Sequence, residues 1–328
     1  MRSFLKSIIS VFAILFSCLL SNYTYANWSE KTFPVMGTQA RVQFWHESPK
    51  ASQRIIADVM AEMERINQSM SPYIPSSELS QINLHASTKP VRLSAELFNL
   101  LRVSQHVALL SEGAFDITYA SVGYRYNYRQ KIKPSKQEIT QGLEAINHHS
   151  LILNEKEQTI FFENKNTKID LGGIAKGHAV SNCINILRRA GIKHGLVSAG
   201  GDTALLGDKR GRPWMVGIKH PRAEHKSAVH IPLSNEAIST SGDYERYFIE
   251  NGERYHHIIN PKTGKSPKEI VSVSVIGNDP TMVDALSTTL FVLGLTGALS
   301  FINNLEGYEA IVIDKHQKLH FSQGLLMQ

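Results

Sequence analysis

Apolar and polar positions change period several times along the chain. Residues 38–46 (TQARVQFWH) alternate as a strand with one buried face does. From 52 to 70 the period lengthens, and Ile55, Ile56, Val59, Met63 and Ile66 recur at the spacing of one helical face. A second helix is predicted over 95–111, with Ser94 as its cap, Leu97, Leu100, Leu101 and Ala108 as its buried stripe and Gly113 beyond its end. After residue 194 the runs shorten to GLVSAGG, WMVGIKH, AVHIPL, RYFIENGERYHHII and VSVSVIG, which read as strands. Asn251-Gly252 between two of them is a hairpin signal, because both residue types tolerate positive φ. Helical spacing returns over 281–293, closed by Gly294, and again near 297–305. No internal repeat or low-complexity linker divides the chain. The predicted fold class is therefore α+β, one catalytic unit of largely antiparallel sheets packed with helices. The hairpins argue against a doubly wound parallel sheet.

The first 26 residues stand apart. Arg2 and Lys6 precede the apolar run IISVFAILFSCLL, and polar SNYTYA ends at the small residue Ala26, the pattern of a secretory signal peptide over residues 1–26. The run falls short of the roughly 18–20 apolar residues that span a bilayer, which argues against a membrane anchor. LFSC resembles a lipobox, but Phe16 is bulky where such sites carry a small residue, so lipidation at Cys18 ranks below cleavage. Cleavage removes Arg2, Lys6 and no acid, lowering the net charge from +6 to +4. The mature chain, 27–328, then keeps Cys183 as its one cysteine and has no internal disulfide even in an oxidising compartment. The expected compartment is the periplasm.

Candidate chemistry gathers at turns and on one helix. KIDLGGIAKGHAVSNCINIL, 168–187, reads as a short strand, a glycine turn and a helix start, where backbone N–H groups and the helix dipole suit an anion. The spacing matches neither the dinucleotide fingerprint nor the Walker loop. Its glycines could equally serve tight packing, Lys176 could be a solvated charge, and Asp170 could cap the helix. VSAGGD, 197–202, has the same strand-to-turn form. In TMVDALSTTLFVLG, Asp284 and Thr288 lie four apart on one helix face among apolar neighbours. A carboxylate buried there needs a partner, and Mg²⁺ suits oxygen donors; the alternative is an exposed first-turn residue. His257 precedes an Asn-Pro-x-x-Gly turn and could take a proton from a hydroxyl, or simply be packed. Zinc spacings of Cys and His do not occur.

Taken in order, PVMGT (34–38), GAFDIT (113–118), DLGGIAKG (170–177), VSAGGD (197–202), STSGDYERYF (239–248), HIINPKTG (257–264) and DALSTTLFVLG (284–294) resemble the motif series of the ApbE family, the FAD:protein FMN transferases. The resemblance implies an exported enzyme that uses Mg²⁺ to split FAD, joins FMN through a phosphoester to a threonine or serine of a target protein, and releases AMP. It implies acceptors such as subunits of Nqr- and Rnf-type membrane redox complexes or exported flavoproteins, and peripheral association with the inner membrane. Residue by residue, it implies FAD contacts at Met36, Tyr73, Ala114, Phe115, Asp116, Asp170, Lys176 and Ile259. It implies a metal held by the Gly173 carbonyl, Asp284 and Thr288, with His257 activating the acceptor hydroxyl and Asp284 essential to catalysis. A Mg²⁺-dependent FAD pyrophosphatase and a flavin carrier without turnover are the alternative functions.

The chain departs from the family pattern in places. Asn260 stands where many members have Asp, Ser287 where some carry a further acid near the metal, and His178 where Tyr is common. The segment YRYNYRQKIKPSK, 124–136, alternates Tyr with basic residues; export argues against nucleic acid as its partner, leaving a solvated face or a loop that touches the acceptor or the adenine.

Overall fold

The computed structural model describes residues 27–223 and 225–326, so the signal peptide expected over 1–26 and Cys18 lie outside the described residues. β1 (Asn27–Val35) and β2 (Thr38–His46) form a hairpin closed by Met36 and Gly37, both at positive φ. The Pro49–Met70 helix follows, capped by Ser48, and buries Ile55, Val59, Met63 and Ile66 as their spacing requires. After the Glu78–His85 helix comes β3 (Val91–Arg92), then the Ala95–Leu110 helix, whose first turn is capped by the Ser94 hydroxyl accepting from Leu97 N–H. β4 (Leu151–Asn154) and β5 (Thr159–Phe162) complete a small sheet in the order β3-β5-β4. The Ala175–Arg189 helix leads into β6 (Gly195–Ala199), β7 (Asp202–Leu206), β8 (Trp214–Lys219), β9 (Ser227–Leu233) and β10 (Ala237–Gly242). β11 (Tyr247–Glu250) and β12 (Glu253–His256) form the hairpin anticipated at Asn251-Gly252, and both turn residues have positive φ. β13 (Ile270–Gly277), the Pro280–Asn303 helix, β14 (Tyr308–Asp314) and β15 (Leu319–Phe321) close the chain.

Eight strands make one sheet in the order β1-β2-β6-β7-β10-β13-β14-β15, every pair antiparallel. One face packs on the Ala175–Arg189 and Pro280–Asn303 helices through a cluster that includes Val42, Val197, Val273, Leu286 and Phe291. The other face is covered by the β8-β9 hairpin through Trp214, Ile218 and Leu233. A further apolar cluster, with Leu97, Leu101, Phe162 and Ile169, joins the small sheet to the helices before it. The Pro280–Asn303 helix is long and apolar enough to cross a membrane, but it runs through this core with Leu286, Leu290 and Phe291 fully buried. Gly294 interrupts it at φ 74°, ψ 173°, so the segment expected near 297–305 continues the same element after a kink.

Two local expectations change. Residues 168–171 are not a strand, because Ile169 exchanges both backbone hydrogen bonds with the side chain of Asn83 instead of a neighbouring strand. Residues 124–136 are largely exposed, as a solvated face would be, but side chains within them are anchored. Tyr126 donates to the carbonyl of Gly264 and Tyr128 to that of His256, their rings stack 5.9 Å apart, and Lys133 pairs with Glu250. Tyr126, Tyr128 and Lys133 thus clasp the β11-β12 hairpin and the loop behind it.

Candidate active site

Close approach of two helices builds the site. A Cβ on Gly177 would lie 2.3 Å from the carbonyl oxygen of Pro280 and 2.6 Å from Cβ of Asp284, so only glycine lets the Ala175–Arg189 helix cross the Pro280–Asn303 helix here. Tight packing is therefore what this glycine provides. The crossing brings the Gly177 N–H to Asp284 Oδ2 at 2.8 Å. The anion anticipated at this helix N-terminus is thus the protein's own Asp284. Asp284 is 2% exposed, which removes the alternative of a solvated first-turn residue; the helix is capped instead by Asp279.

Lys176 sits between two carboxylates, 2.8 Å from Asp202 Oδ2 and 3.6 Å from Asp284 Oδ1. It is not a solvated charge. Burial alone would lower its pKa, but Asp202 and Asp284 outweigh that and raise it, so the ammonium stays charged. Burial, with the nearby charge of Asp202, pushes the Asp284 carboxyl well above the ordinary aspartate range, against the opposing pull of Lys176 and the Gly177 N–H. Two acids share this one base.

Thr288, one turn beyond Asp284 and half-buried, faces Gly173: a Cβ there would meet Thr288 Oγ1 at 3.0 Å and the Phe115 ring at 3.4 Å. Three sequence-predicted metal residues, Gly173, Asp284 and Thr288, and two predicted FAD residues, Phe115 and Lys176, therefore converge from segments far apart in the chain. Ser239 and Ser241, two apart on β10 and so on one face of that strand, look onto the same helix. Ser239 donates to Asp202 Oδ1 at 2.5 Å, and Ser241 lies 3.3 Å from Thr288 Oγ1. Sequence reasoning missed Asp202, Ser239 and Ser241 as site residues, although the alternation in STS and the acid ending VSAGGD were the available signals.

On the other side of the glycine turn, Asp170 Oδ1 accepts from Gly172 N–H at 2.7 Å and Tyr119 OH at 3.0 Å, and Oδ2 from Tyr124 OH at 3.0 Å. Asp170 organises the turn and does not cap the helix. Burial, reinforced by its charge, raises both phenol pKa values, so the tyrosines remain donors. Asp116 is also committed: Oδ1 accepts from Thr118 N–H and hydroxyl, and Oδ2 from His148 N–H at 3.0 Å. It borders a groove of about 370 Å³ that also meets Gly113, His148, Pro261 and Lys262. Ala114 is buried beside it, and Ile259 is buried with Val122, Tyr126 and Ile139, so its side chain faces a core. A larger groove of about 530 Å³ runs past Gly37, Thr38 and Glu64 beside Met36, without any of the charged groups described above. Tyr73 is 81% exposed, and its side chain makes no hydrogen bond among the described residues.

His257 lies one residue past β12, not within a strand, and its N–H donates to the Arg246 carbonyl at 3.1 Å. Burial, then the positive charges of His256, Arg246 and Lys176, hold its pKa down to about 3. The imidazole is a free base at neutral pH, and its Nδ1 is buried without a partner. Asn260 holds the turn after it, its carbonyl accepting from Gly264 N–H and its Oδ1 from Lys262 N–H, both at 2.8 Å. His178 approaches Glu96 Oε1 at 3.0 Å, away from the site.

The model of the ApbE family matches residues 36–312. The chain is 31% identical to a FAD:protein FMN transferase of Vibrio cholerae over 80% of each chain, and 31% identical to one of Haemophilus influenzae over 85% of each. Its fold is similar to the crystal structure of the ApbE protein from Thermotoga maritima, with a TM-score of 0.84 and 30% identity over 92% of this chain and 99% of that one. The flavin transferase ApbE from V. cholerae superposes with a TM-score of 0.81 at 27% identity over the same shares. With its motifs in family order and its fold shared along nearly its whole length, the chain belongs to the ApbE family.

Proposed function

We propose that the chain is a Mg²⁺-dependent FAD:protein FMN transferase, acting on a serine or threonine hydroxyl of a target protein outside the cytoplasm. The observation that carries this reading is the meeting of Gly173, Thr288, Asp284 and Lys176 in one partly buried cluster. The donor set fits a hard divalent cation. It offers one carboxylate and one hydroxyl beside Gly173, whose carbonyl the family resemblance implies as a third oxygen, and no cluster of three or more His, Cys, Asp or Glu side chains competes for a softer metal among the described residues. Asp284 Oδ1 has Lys176 at 3.6 Å and no hydrogen bond, which leaves it free to ligate. When bound, Mg²⁺ would neutralise charge on the diphosphate of FAD.

Phosphoryl transfer asks the protein for alignment and charge compensation more than for covalent chemistry. Lys176, kept charged by its two acids, adds a fixed positive group beside the phosphates. His257, neutral and unpartnered at Nδ1, accepts the hydroxyl proton as the acceptor oxygen bonds to the FMN phosphorus and the bridging oxygen leaves with AMP. Tyr119 and Tyr124 hold Asp170 and the glycine turn in place. The signal peptide read from residues 1–26 would place this reaction in the periplasm, where the acceptor subunits implied by the family resemblance are exposed.

Incubation of the protein with FAD, Mg²⁺ and a candidate acceptor tests the proposal. Flavin fluorescence that stays with the acceptor on a denaturing gel, with AMP in equal amount, is the expected result. AMP without covalent flavin would make the chain a pyrophosphatase, and neither product would make it a carrier.

A further inference from the structure

A chain of hydroxyls connects Asp202 to Thr288 beside the candidate site. Ser239 Oγ is 2.5 Å from Asp202 Oδ1 and 3.2 Å from Ser287 Oγ; Ser287 Oγ is 2.9 Å from the Asp284 carbonyl and 2.8 Å from Ser241 Oγ; Ser241 Oγ is 3.3 Å from Thr288 Oγ1. Ser239 and Ser287 are buried, so water does not supply missing partners there. Each hydroxyl has a single proton to give, and this settles the direction of the chain.

Start at the carboxylate. Asp202, paired with Lys176, only accepts, so Ser239 spends its proton on Asp202. Toward Ser287, Ser239 can then only accept, and the carbonyl of Asp284 can only accept as well. Two acceptors on one side draw the Ser287 proton to that side. If it turned to Ser241 instead, both contacts would become lone pair against lone pair in a dry environment, where an unmet polar group costs most. Ser241 must therefore donate to Ser287, and its proton is spent. In the last contact Thr288 is the donor. Its hydroxyl hydrogen then points at Ser241, which leaves its lone pairs for the side on which Gly173 lies.

We infer that Ser241 and Ser287, anchored by Asp202 through Ser239, are positioning residues that fix the polarity of the Thr288 hydroxyl so that it offers lone pairs to a divalent cation. The inference rests on the metal reading given above. It also gives a role to Ser287, which stands where some relatives carry a further acid: here it orients a ligand and does not act as one.

The test is Mn²⁺ binding, followed by the loss of the free-ion EPR signal, to the purified protein with and without saturating FAD. Ser241→Ala leaves the Thr288 proton without its acceptor and should weaken Mn²⁺ binding by about 10- to 100-fold, the usual range for a group that orients a metal ligand. Ser241→Thr keeps the hydroxyl and should restore binding to within about threefold of the starting protein, within the scatter of such effects. Ser287→Ala frees the Ser241 proton to turn toward Thr288 and should weaken binding too; it carries the test if Ser241→Ala does not fold. Thermal unfolding of each variant without metal separates polarity from packing. Mn²⁺ affinity unchanged in folded Ser241→Ala or Ser287→Ala, whether or not the melting temperature falls, overturns the inference and leaves the metal reading intact. Absence of Mn²⁺ binding by the unaltered protein under both conditions overturns the metal reading and this inference with it.

Discussion

The Ala175–Arg189 helix carries two clusters with the same formal charges and opposite behaviour. On one side, Arg65 bridges Glu62 and Glu96 with contacts of 2.7 and 2.8 Å, and Asn182 and His178 add further bonds to the same carboxylates. On the other, Lys176 bridges Asp202 and Asp284. Each holds two acids and one permanent cation. The hydrogen bonds of Arg65 hold the Glu96 carboxyl down at about 2 and lower that of Glu62, whereas burial raises that of Asp284. Guanidinium geometry and partial solvent access explain the first: the planar fork meets both carboxylates, and water supports the remaining charge. Lysine is a point charge that lies closer to one acid than the other, and Asp284 has little water to help it. The first cluster is complete and joins three helices. The second has the same formal charges but a buried Asp284 whose Oδ1 keeps only a 3.6 Å contact with Lys176, and that opening makes it the candidate site.

The largest effect expected from this contrast is on transfer. Asp284→Ala removes the carboxylate of the proposed metal site and should reduce flavin transfer by about 10³-fold or more, several kcal/mol of lost charge compensation. His257→Ala should cost less, about 10²- to 10³-fold, because a positioned base is one contribution among several. Rates measured by flavin fluorescence on the acceptor rank the two. If the histidine variant is the more damaged, or if a chelator leaves the rate of the unaltered protein unchanged, the ranking and the metal reading both fail.

Much of this was legible in the chain because it was periodic. The 52–70 and 95–111 patterns and the Asn251-Gly252 turn are signals in which local spacing and final structure agree, and Gly294, read as a stop, became a kink. Asp284 and Thr288 could be placed on one helix face by counting four residues. What spacing cannot give is the partner across the gap. Asp202 reaches Lys176 through a strand turn, and the arrangement of Ser239, Ser241 and Ser287 exists only once β10 lies against the helix. The roles of Tyr126 and Tyr128 were hidden for the same reason, since their hydroxyls find carbonyls more than a hundred residues away. Residues 168–171 read as a strand by composition, yet a single side chain, Asn83, took the place of the neighbouring strand.

Opposite pKa shifts imply opposite pH slopes of stability, a smaller and independent effect. Glu96 titrates lower in the folded state than the ordinary value of about 4.3, so its contribution is present above that value and is lost as the pH falls toward about 2. Asp284 titrates higher than about 3.9 when folded, so in metal-free protein its contribution is present below that value and is lost as the pH rises through the folded pKa. Urea unfolding in chelator from about pH 3 to pH 8 separates them. Glu96→Gln should lose about 1–2 kcal/mol at neutral pH, near the low end for hydrogen bonds to charged groups because the cluster is partly open, and should flatten the acid side of the curve. Asp284→Asn should be more stable than the unaltered protein at neutral pH without metal, and less responsive to added Mg²⁺. A destabilised Asp284→Asn under those conditions would mean that the carboxylate is already satisfied by Lys176, and the two clusters would then be alike.

The smallest effect belongs to His178, two residues from Lys176 but turned to the other cluster. Relatives commonly carry Tyr here, and a phenol could still give a hydrogen bond to Glu96, which also keeps Arg65 and Asn182. His178→Tyr therefore changes one contact of a saturated, partly exposed network, and its stability should stay within about 0.5 kcal/mol of the parent protein. Transfer should change by less than about twofold, since nothing on that side of the helix touches the proposed metal or the phosphates. Denaturant midpoints and transfer rates measured on one preparation test both statements. A tenfold loss of transfer at unchanged stability would show that the helix passes a rotation or shift from the outer cluster to Lys176. The two clusters would then be one coupled device, and the division between joint and site drawn from their charges would have to be abandoned.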